Sequence, residues 1–203
     1  GGSKMSPLIR INASSDGRRG RLLARTALCG ALCGINGLAP PLASDAPTGG
    51  LPEVYAGGGN PVITTTGLRT DVTLNAQRTV LNWVGFDVAP NETVSFNFGA
   101  RNWIVLNRIG GLSGSKIEGV VEGRVGGAYG GNVWFVSNSN IIVGKSARID
   151  VGGLLVGLGT PNTAAFLDPA NNLFSFNGGD LISGARVFVL SGAEITAHGG
   201  SAT

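Results

Sequence analysis

The chain has 203 residues, of which 35 are glycine, 42% are hydrophobic and only 13% are charged. Glycine, asparagine and β-branched residues disfavour helices and suit pleated surfaces, so the composition predicts an all-β domain. The net charge of +3 does not indicate a nucleic-acid partner, because the basic excess is confined to residues 1–46, and the remainder holds nine Lys and Arg against ten Asp and Glu.

The first 46 residues have the pattern of an export signal. Residues 1–4 have the character of a vector remnant, and residues 5–46 combine arginines, a short apolar run and a small-residue cleavage site. This combination predicts an extended signal peptide that directs the chain to the periplasm. Cys29 and Cys33, the only cysteines, both lie in this segment. A cysteine-free body suits a chain that crosses an outer membrane unfolded, since no disulfide can form in the periplasm.

From residue 62 onward, short apolar runs alternate with Gly, Asn and Ser, and several runs have the period of two that indicates strands with one buried face. The residues that this alternation places on the buried faces are Val94, Phe96, Phe98, Ile104, Leu106, Val133, Phe135, Ile141, Val143, Ala147, Ile149, Val151, Val187 and Val189. A loose repeat relates residues 147–153 to residues 193–200, with residues 115–119 as a shorter echo. The shared isoleucine of the repeat is predicted to point inward.

Two architectures fit many short strands with glycine turns: a sandwich or barrel, and a solenoid of parallel coils. Asparagines at the predicted strand edges favour the solenoid, because inward amides can bond from coil to coil. With coils of roughly 20–25 residues, the body would form ~6–8 of them. Residues 47–203 would then end on an open coil edge, which predicts a domain truncated at its C-terminal end.

Three segments between residues 79 and 158 together resemble the secretion domain of the filamentous haemagglutinin family, also called the TPS or haemagglutination activity domain of two-partner-secretion exoproteins. Residues 79–96 (TVLNWVGFDVAPNETVSF) are similar to the family's Trp-x-x-Phe and Gly-Glu-x-Val-x-Phe elements. Residues 105–119 (VLNRIGGLSGSKIEG) are similar to its Leu-Asn-Arg-Val and Ser-x-Ile-x-Gly elements. Residues 133–154 resemble its Asn-Pro-Asn-Gly-Ile region, with Ser139 and Ile141 at the proline and glycine positions.

The resemblance implies an all-β fold, a right-handed parallel β-helix whose N-terminal end is capped by short extra-helical hairpins or strands. It also implies the function of a secretion signal and folding nucleus for a large surface adhesin or toxin. The expected partners are an outer-membrane transporter with periplasmic modules and a barrel, the downstream part of the same exoprotein, and a host or neighbouring-cell surface. The expected location is the bacterial cell surface or the medium, reached through the periplasm.

A disordered chain that meets a β-rich receptor is expected to pair by strand addition, with side chains supplying the specificity. Within the resemblance, we expect the transporter to recognise two polar groups and a nearby glycine. These residues are Asn107, Arg108, Asn138, Asn140 and Gly144. The alternative for each is a purely structural role.

The sequence predicts neither an enzyme nor a metal or cofactor site. His198 is the only histidine and the body has no cysteine, so zinc sites and Ser-His or Cys-His nucleophiles lack parts. Two other function classes stay open. A self-contained carbohydrate-binding or adhesive β-helix could use Trp83, Trp103 and Trp134, and a β-helical polysaccharide lyase would need stacked carboxylates.

Overall fold

The structure, a computed structural model, describes residues 51–54, 59–170, 175–177 and 181–199. All of them lie in the compact unit Ala39–Thr203. The predicted vector remnant (1–4) and signal peptide (5–46) fall outside the described residues.

The described chain is built almost entirely of strands. In the first half these are β1 (Leu51–Val54), β2 (Gly59–Thr66), β3 (Arg69–Asn75), β4 (Arg78–Trp83), β5 (Thr93–Phe98), β6 (Ile104–Ile109), β7 (Ser115–Ile117), β8 (Val120–Val125) and β9 (Ala128–Tyr129). In the second half they are β10 (Asn132–Ser137), β11 (Ile141–Val143), β12 (Arg148–Val151), β13 (Gly153–Leu158), β14 (Thr160–Pro161), β15 (Phe176–Asn177), β16 (Val187–Val189) and β17 (Glu194–Ala197). One short helix, α1 (Thr163–Leu167), interrupts them.

The strands form three parallel sheets that the chain visits in rotation. The first sheet has the order β1-β4-β6-β10-β13, the second β16-β11-β7, and the third β17-β12-β8-β5-β3-β2. Strands that follow one another along a sheet come from successive passes of the chain and pair in parallel, as β4, β6 and β10 do. Three stacked parallel sheets of this kind are consistent with a β-helix, and no antiparallel sandwich or barrel is present in the described residues.

Antiparallel strands cover the N-terminal edges of two sheets. β1 pairs antiparallel with β4 at the edge of the first sheet, and β2 pairs antiparallel with β3 at the edge of the third sheet. Gly67, with a φ of 58°, makes the tight turn between β2 and β3, because a left-handed backbone is costly for any residue with a Cβ. β1 and β2 are thus added antiparallel at the N-terminal edges of the first and third sheets.

The core lies between the three sheets and is lined with aromatic rings. Phe86 stacks on Phe96 at 6.3 Å and approaches Phe135 at 4.8 Å between ring centroids, and the ring of Trp83 meets Phe86 edge-on at 5.3 Å. All four side chains are buried. Aromatic side chains dominate the energetics of such cores because each buries a large apolar area. The predicted inward positions in β5, β10, β11 and β12 are therefore confirmed.

The predicted face of β6 was wrong. Val105, Asn107 and Ile109 stand in register with the inward residues of β4, whereas Ile104 and Leu106 face outward. Leu106 is nevertheless buried, because α1 covers this part of the outer face. β6 has apolar residues on both faces, so the alternation does not show which face points inward. The sequence pattern also does not indicate that α1 covers the outer face.

The sequence repeat was assigned correctly in its longer form. Ile149 of β12 stands in parallel register with Ile195 of β17. The shorter echo, Ser115–Ile117, also has its isoleucine in the core, but it pairs with β11 of the second sheet, and the residue in register with Ile149 is Val121 of β8. A small residue, an isoleucine and a glycine serve equally well at both corners of the coil, so the pattern alone does not identify the sheet.

The coils are fewer than predicted. Only four parallel strands, β4, β6, β10 and β13, form the first sheet in the described residues, not the expected ~6–8 coils. Two segments use the remaining residues. β2 (Gly59–Thr66) runs antiparallel along β3, and the described residues between β13 and β16 (159–170, 175–177 and 181–186), here called the excursion, add no strand to the three sheets. The excursion carries α1, whose N-cap Asn162 accepts a hydrogen bond from the Ala165 backbone amide.

Candidate functional site

Asn107 is buried inside the stack and joins three successive coils. Its Oδ1 accepts a hydrogen bond from Trp83 Nε1 at 2.9 Å, and its Nδ2 donates to the Trp134 carbonyl at 3.1 Å. These bonds connect β6 with β4 on one side and β10 on the other. The residues in register with Asn107 are Leu81 and Phe135, so no continuous asparagine ladder forms at this position. The Asn107 side-chain amide bonds to the Trp83 indole and to the Trp134 carbonyl, and not to other side-chain amides.

Arg108 and Asn138 lie together at a cleft on the outer side of the first sheet. The cleft has a volume of about 130 Å³, and its lining also includes Asn82 of β4 and Pro161 of β14. Arg108 is half-buried on the outward side of β6. The Asn138 carbonyl accepts a hydrogen bond from the Ile182 amide at 2.8 Å, whereas its buried Oδ1 accepts none. These are the only two of the five predicted recognition residues that line this cleft.

Asn140 connects two neighbouring coils at the start of the second sheet. Its carbonyl accepts a hydrogen bond from the Ser115 amide at 2.8 Å, and its Oδ1 accepts one from the Arg186 amide, also at 2.8 Å. The side chain therefore holds the chain where it returns from the excursion. This is a structural task that an alanine could not perform.

Gly144 occupies a corner that has little room for a side chain. Its amide donates to the Ile117 carbonyl at 2.7 Å. A Cβ at this position would lie 2.5 Å from Glu118 Cγ and 3.2 Å from the Ile117 carbonyl oxygen. Any larger residue would push the corner away from the preceding coil unless Glu118 moved.

Two serines that the sequence reasoning did not select hold the turn that contains Asn138 and Asn140. Ser137 Oγ donates to the Ile109 carbonyl and accepts from the Ser139 amide, at 3.1 and 3.0 Å. Ser139 Oγ donates to the Leu112 carbonyl at 3.2 Å. Ser139, which stands at the family's proline position, thus ties the turn to the coil before it. Nothing in the sequence indicated these two residues, because a segment of Ser and Asn is expected to be exposed, whereas Ser137 and Ser139 are buried.

The third sheet carries an ion-pair network on its outer face, which the sequence reasoning also missed. Asp71, Ser95, Glu122 and Asp150 stand in one register row across β3, β5, β8 and β12. Arg69 Nη2 lies 3.0 Å from Glu122 Oε1. The available signal was the pairing of opposite charges two residues apart on one strand, as in Arg69–Asp71, Glu122–Arg124 and Arg148–Asp150.

Glu122 is the centre of this network. Its two oxygens bind different arginines, because Arg124 Nη2 lies 2.6 Å from Oε2 while Arg69 bonds Oε1. Burial alone would raise the pKa of Glu122, but the hydrogen bonds from Arg124 and Arg69 outweigh it and hold the pKa below its ordinary value. The carboxylate is thus a charged structural link between strands β3 and β8.

A stack of three side chains joins the hairpin β8–β9 to the end of β17. The Arg124 guanidinium lies 3.9 Å from the centre of the Tyr129 ring, and His198 stacks on Tyr129 at 4.8 Å with an interplanar angle of 5°. His198 Nε2 is 3.7 Å from Asp150 Oδ1. Cation–π and stacking contacts of this kind add modest stability at exposed sites.

No group of three or more His, Cys, Asp or Glu residues that could hold a metal ion occurs among the described residues. In the same residues, no helix has the length and apolar character that a membrane span needs.

The five predicted recognition residues do not form one surface: Asn107 is internal, Arg108 and Asn138 share a cleft, and Asn140 and Gly144 hold separate corners.

Comparison with protein families gives one match over most of the chain. The model of the TPS secretion domain matches residues 43–200. No curated protein matches the sequence.

Proposed function

The chain belongs to the TPS secretion domain family, whose members are secretion domains of two-partner-secretion exoproteins and are not catalytic. On that premise, we propose that it is the N-terminal secretion signal and folding nucleus of a large exported adhesin or toxin. A partner outer-membrane transporter, with periplasmic modules and a β-barrel, recognises it and passes it to the cell surface. The family match over residues 43–200 is the observation that carries the proposal.

The proposal includes a right-handed parallel β-helix as the fold that forms on export. Its support is the rotation of the chain through three parallel sheets, with β10, β11 and β12 followed by β13 beside β10. Crossovers between parallel strands of one sheet are right-handed in nearly all proteins. Each coil contacts chiefly its neighbours, so a solenoid can fold coil by coil as the chain emerges.

Residues 5–46 are proposed to act as the signal peptide that brings the chain to the periplasm, with residues 47–203 as the secretion domain. The support is the concentration of positive charge and of both cysteines before residue 47. The downstream part of the exoprotein would follow the domain outward and carry the activity toward a host or neighbouring cell.

Recognition by the transporter is proposed to involve Asn107, Arg108, Asn138, Asn140 and Gly144 while the chain is still unfolded. The support is that the fold engages these residues: Asn107 and Gly144 are buried, and the Asn140 amide oxygen is bonded to Arg186. Groups that are used inside the folded domain are accessible to a receptor only before folding. An unfolded segment can pair with a receptor strand through its main chain and present alternate side chains for selection.

The test uses the double variant Asn138→Ala and Asn140→Ala, expressed together with the cognate transporter, and measures the protein released into the medium. Release is expected to fall several-fold while signal-peptide removal stays normal. Asn97→Ala is the matched control, since its amide makes one long bond of 3.4 Å on the outer face of the third sheet. Release of the double variant at the control level would refute the assignment of these asparagines.

A second measurement separates recognition from folding. Urea-unfolded wild-type and double-variant chains are diluted onto immobilised periplasmic modules, and the bound amounts are compared before folding is complete. Weaker capture of the variant is expected if the asparagines are recognised. Equal capture, together with a lower unfolding free energy, would make their role in secretion structural.

The alternative of a carbohydrate-binding module gains no specific support from the tryptophans. Trp83 is buried in the core, and Trp134 packs against Phe166 with ring centroids 5.8 Å apart. The lyase alternative gains none from Asp150, whose carboxylate is paired with Arg148.

A further inference from the structure

The first part of the excursion, residues 160–168, lies across the outer face of the first sheet and is called the strap below. The strap leaves β13 at one edge of this sheet and reaches β4 near the other edge. Within α1, Phe166 is the only buried residue. It packs on residues of three different strands, Val80 of β4, Leu106 of β6 and Val136 of β10.

A cation fastens the end of the strap. Arg78, the first residue of β4, donates from Nη1 to the carbonyls of Phe166 and Asp168, both at 2.8 Å. The guanidinium also lies 6.0 Å from the centre of the Phe166 ring. Carbonyls at the C-terminal end of a helix lack intrahelical donors, and a cation there satisfies them and suits the helix dipole. Arg78 and Phe166 are 88 residues apart in the sequence, so this contact joins the first coil to a late part of the chain.

The site that receives Phe166 does not exist until several coils have stacked. Val80, Leu106 and Val136 come next to one another only when β4, β6 and β10 are paired, and the strap reaches them only after β13 is in place. Ordinary contacts in such a stack join neighbouring coils only. The strap is different, because it couples the first parallel strand of the first sheet, β4, to the last strand of the same sheet, β13.

We infer that the strap is a late-forming lock that holds β4 in the first sheet once the following coils have assembled. Its use in export, where it would make folding of the first coils hard to reverse, rests on the proposed function. The lock itself is a property of the purified chain. The lock could therefore be disproved while the assignment as a secretion domain stands. Equally, the assignment could be disproved while the lock stands.

The test is hydrogen–deuterium exchange of the full chain, comparing the wild type with Phe166→Ala and Arg78→Gln. Amides of β4 are expected to exchange faster by about tenfold or more in Phe166→Ala, because removal of a buried phenyl ring leaves a cavity under the strap. Amides of β12 in the third sheet, which the strap does not touch, are expected to keep the wild-type rate.

Asp168→Ala is the matched control, because it removes a side chain of the strap and leaves the carbonyl that Arg78 binds. It is expected to leave exchange in β4 unchanged. Faster exchange in α1 alone, or an equal rise in β4 and β12, would overturn the lock. If Phe166→Ala does not fold, Arg78→Gln decides by the same comparison, since it keeps the phenyl ring and removes only the guanidinium.

Discussion

At the scale of single residues, polar groups inside the stack act as fasteners between coils. Asn107 binds Trp83 and Trp134 on either side, and Ser137 and Ser139 fix a turn to the preceding coil. Buried polar groups of this kind contribute little when they are paired and cost much when one partner is lost. The side chains of Asn107 and Asn140 are therefore used by the fold, whatever further part they take in secretion.

Substitution Asn107→Leu is expected to lower the free energy of unfolding by about 2–3 kcal/mol, because Trp83 Nε1 and the Trp134 carbonyl lose their buried partner. Urea titration of purified protein measures the change. Asn97→Ala is the control and is expected to stay within about 0.5 kcal/mol of the wild type. A leucine variant as stable as this control would show that the two bonds contribute nothing net.

At the scale of elements, the third sheet differs from the first in what covers its outer face. The first sheet is covered by the strap, whereas on the third sheet arginines pair along and across the strands with the carboxylates of one register row and cover Glu122 and Asp150. Glu122 has two arginine partners and a lowered pKa. The cross-strand pair with Arg69 supplements the main-chain bonds that join coils.

The free energy of unfolding is expected to fall at acidic pH because of Glu122 in this sheet. The folded Glu122 carboxyl binds its proton less tightly than the unfolded one, so folding releases protons as the pH falls below the ordinary value of 4.5. The stabilisation is fully present above that pH and is lost as the pH drops through the lowered pKa. Unfolding free energies measured from pH 6 downward should decline less steeply for Glu122→Gln than for the wild type. Parallel curves would exclude Glu122 as the source.

At the scale of the whole molecule, position along the stack decides how much an identical side chain contributes. Ile149 and Ile195 occupy the same register position on neighbouring coils, yet Ile149 is 0% exposed and Ile195 is 43% exposed. The difference arises because β17 has a described neighbour on one side only. Burial, and with it hydrophobic stabilisation, therefore decreases toward this end of the stack.

The matched pair Ile149→Ala and Ile195→Ala tests this gradient. Ile149→Ala is expected to cost about 2–5 kcal/mol, as for other buried isoleucines, and Ile195→Ala less than half as much. Equilibrium unfolding in urea gives both values under one set of conditions. Equal costs would mean that the end of the stack is as well packed as its middle.

Much of this architecture could be predicted from the sequence because strands leave a period-two pattern and the coils repeat. The pairing of Ile149 with Ile195 agrees with such a repeat, while the similar segment at Ser115 and Ile117 lies in another sheet because the same pattern serves two corners. The outward face of Leu106 and the strap could not be predicted, since Phe166 reaches a site assembled from β4, β6 and β10. The candidate site residues were predicted from the family resemblance. Their hydrogen-bond partners could not be predicted, because these partners come from segments that are distant in the sequence.

The excursion shows that the length of one coil is not fixed by its neighbours. Although β13 and β16 are separated by the whole excursion, β12 and β17 remain in register, as do β11 and β16. Closing a longer loop costs little extra chain entropy, so such a corner tolerates added sequence. The connection between β13 and β16 is accordingly where we expect homologous chains to differ most in length.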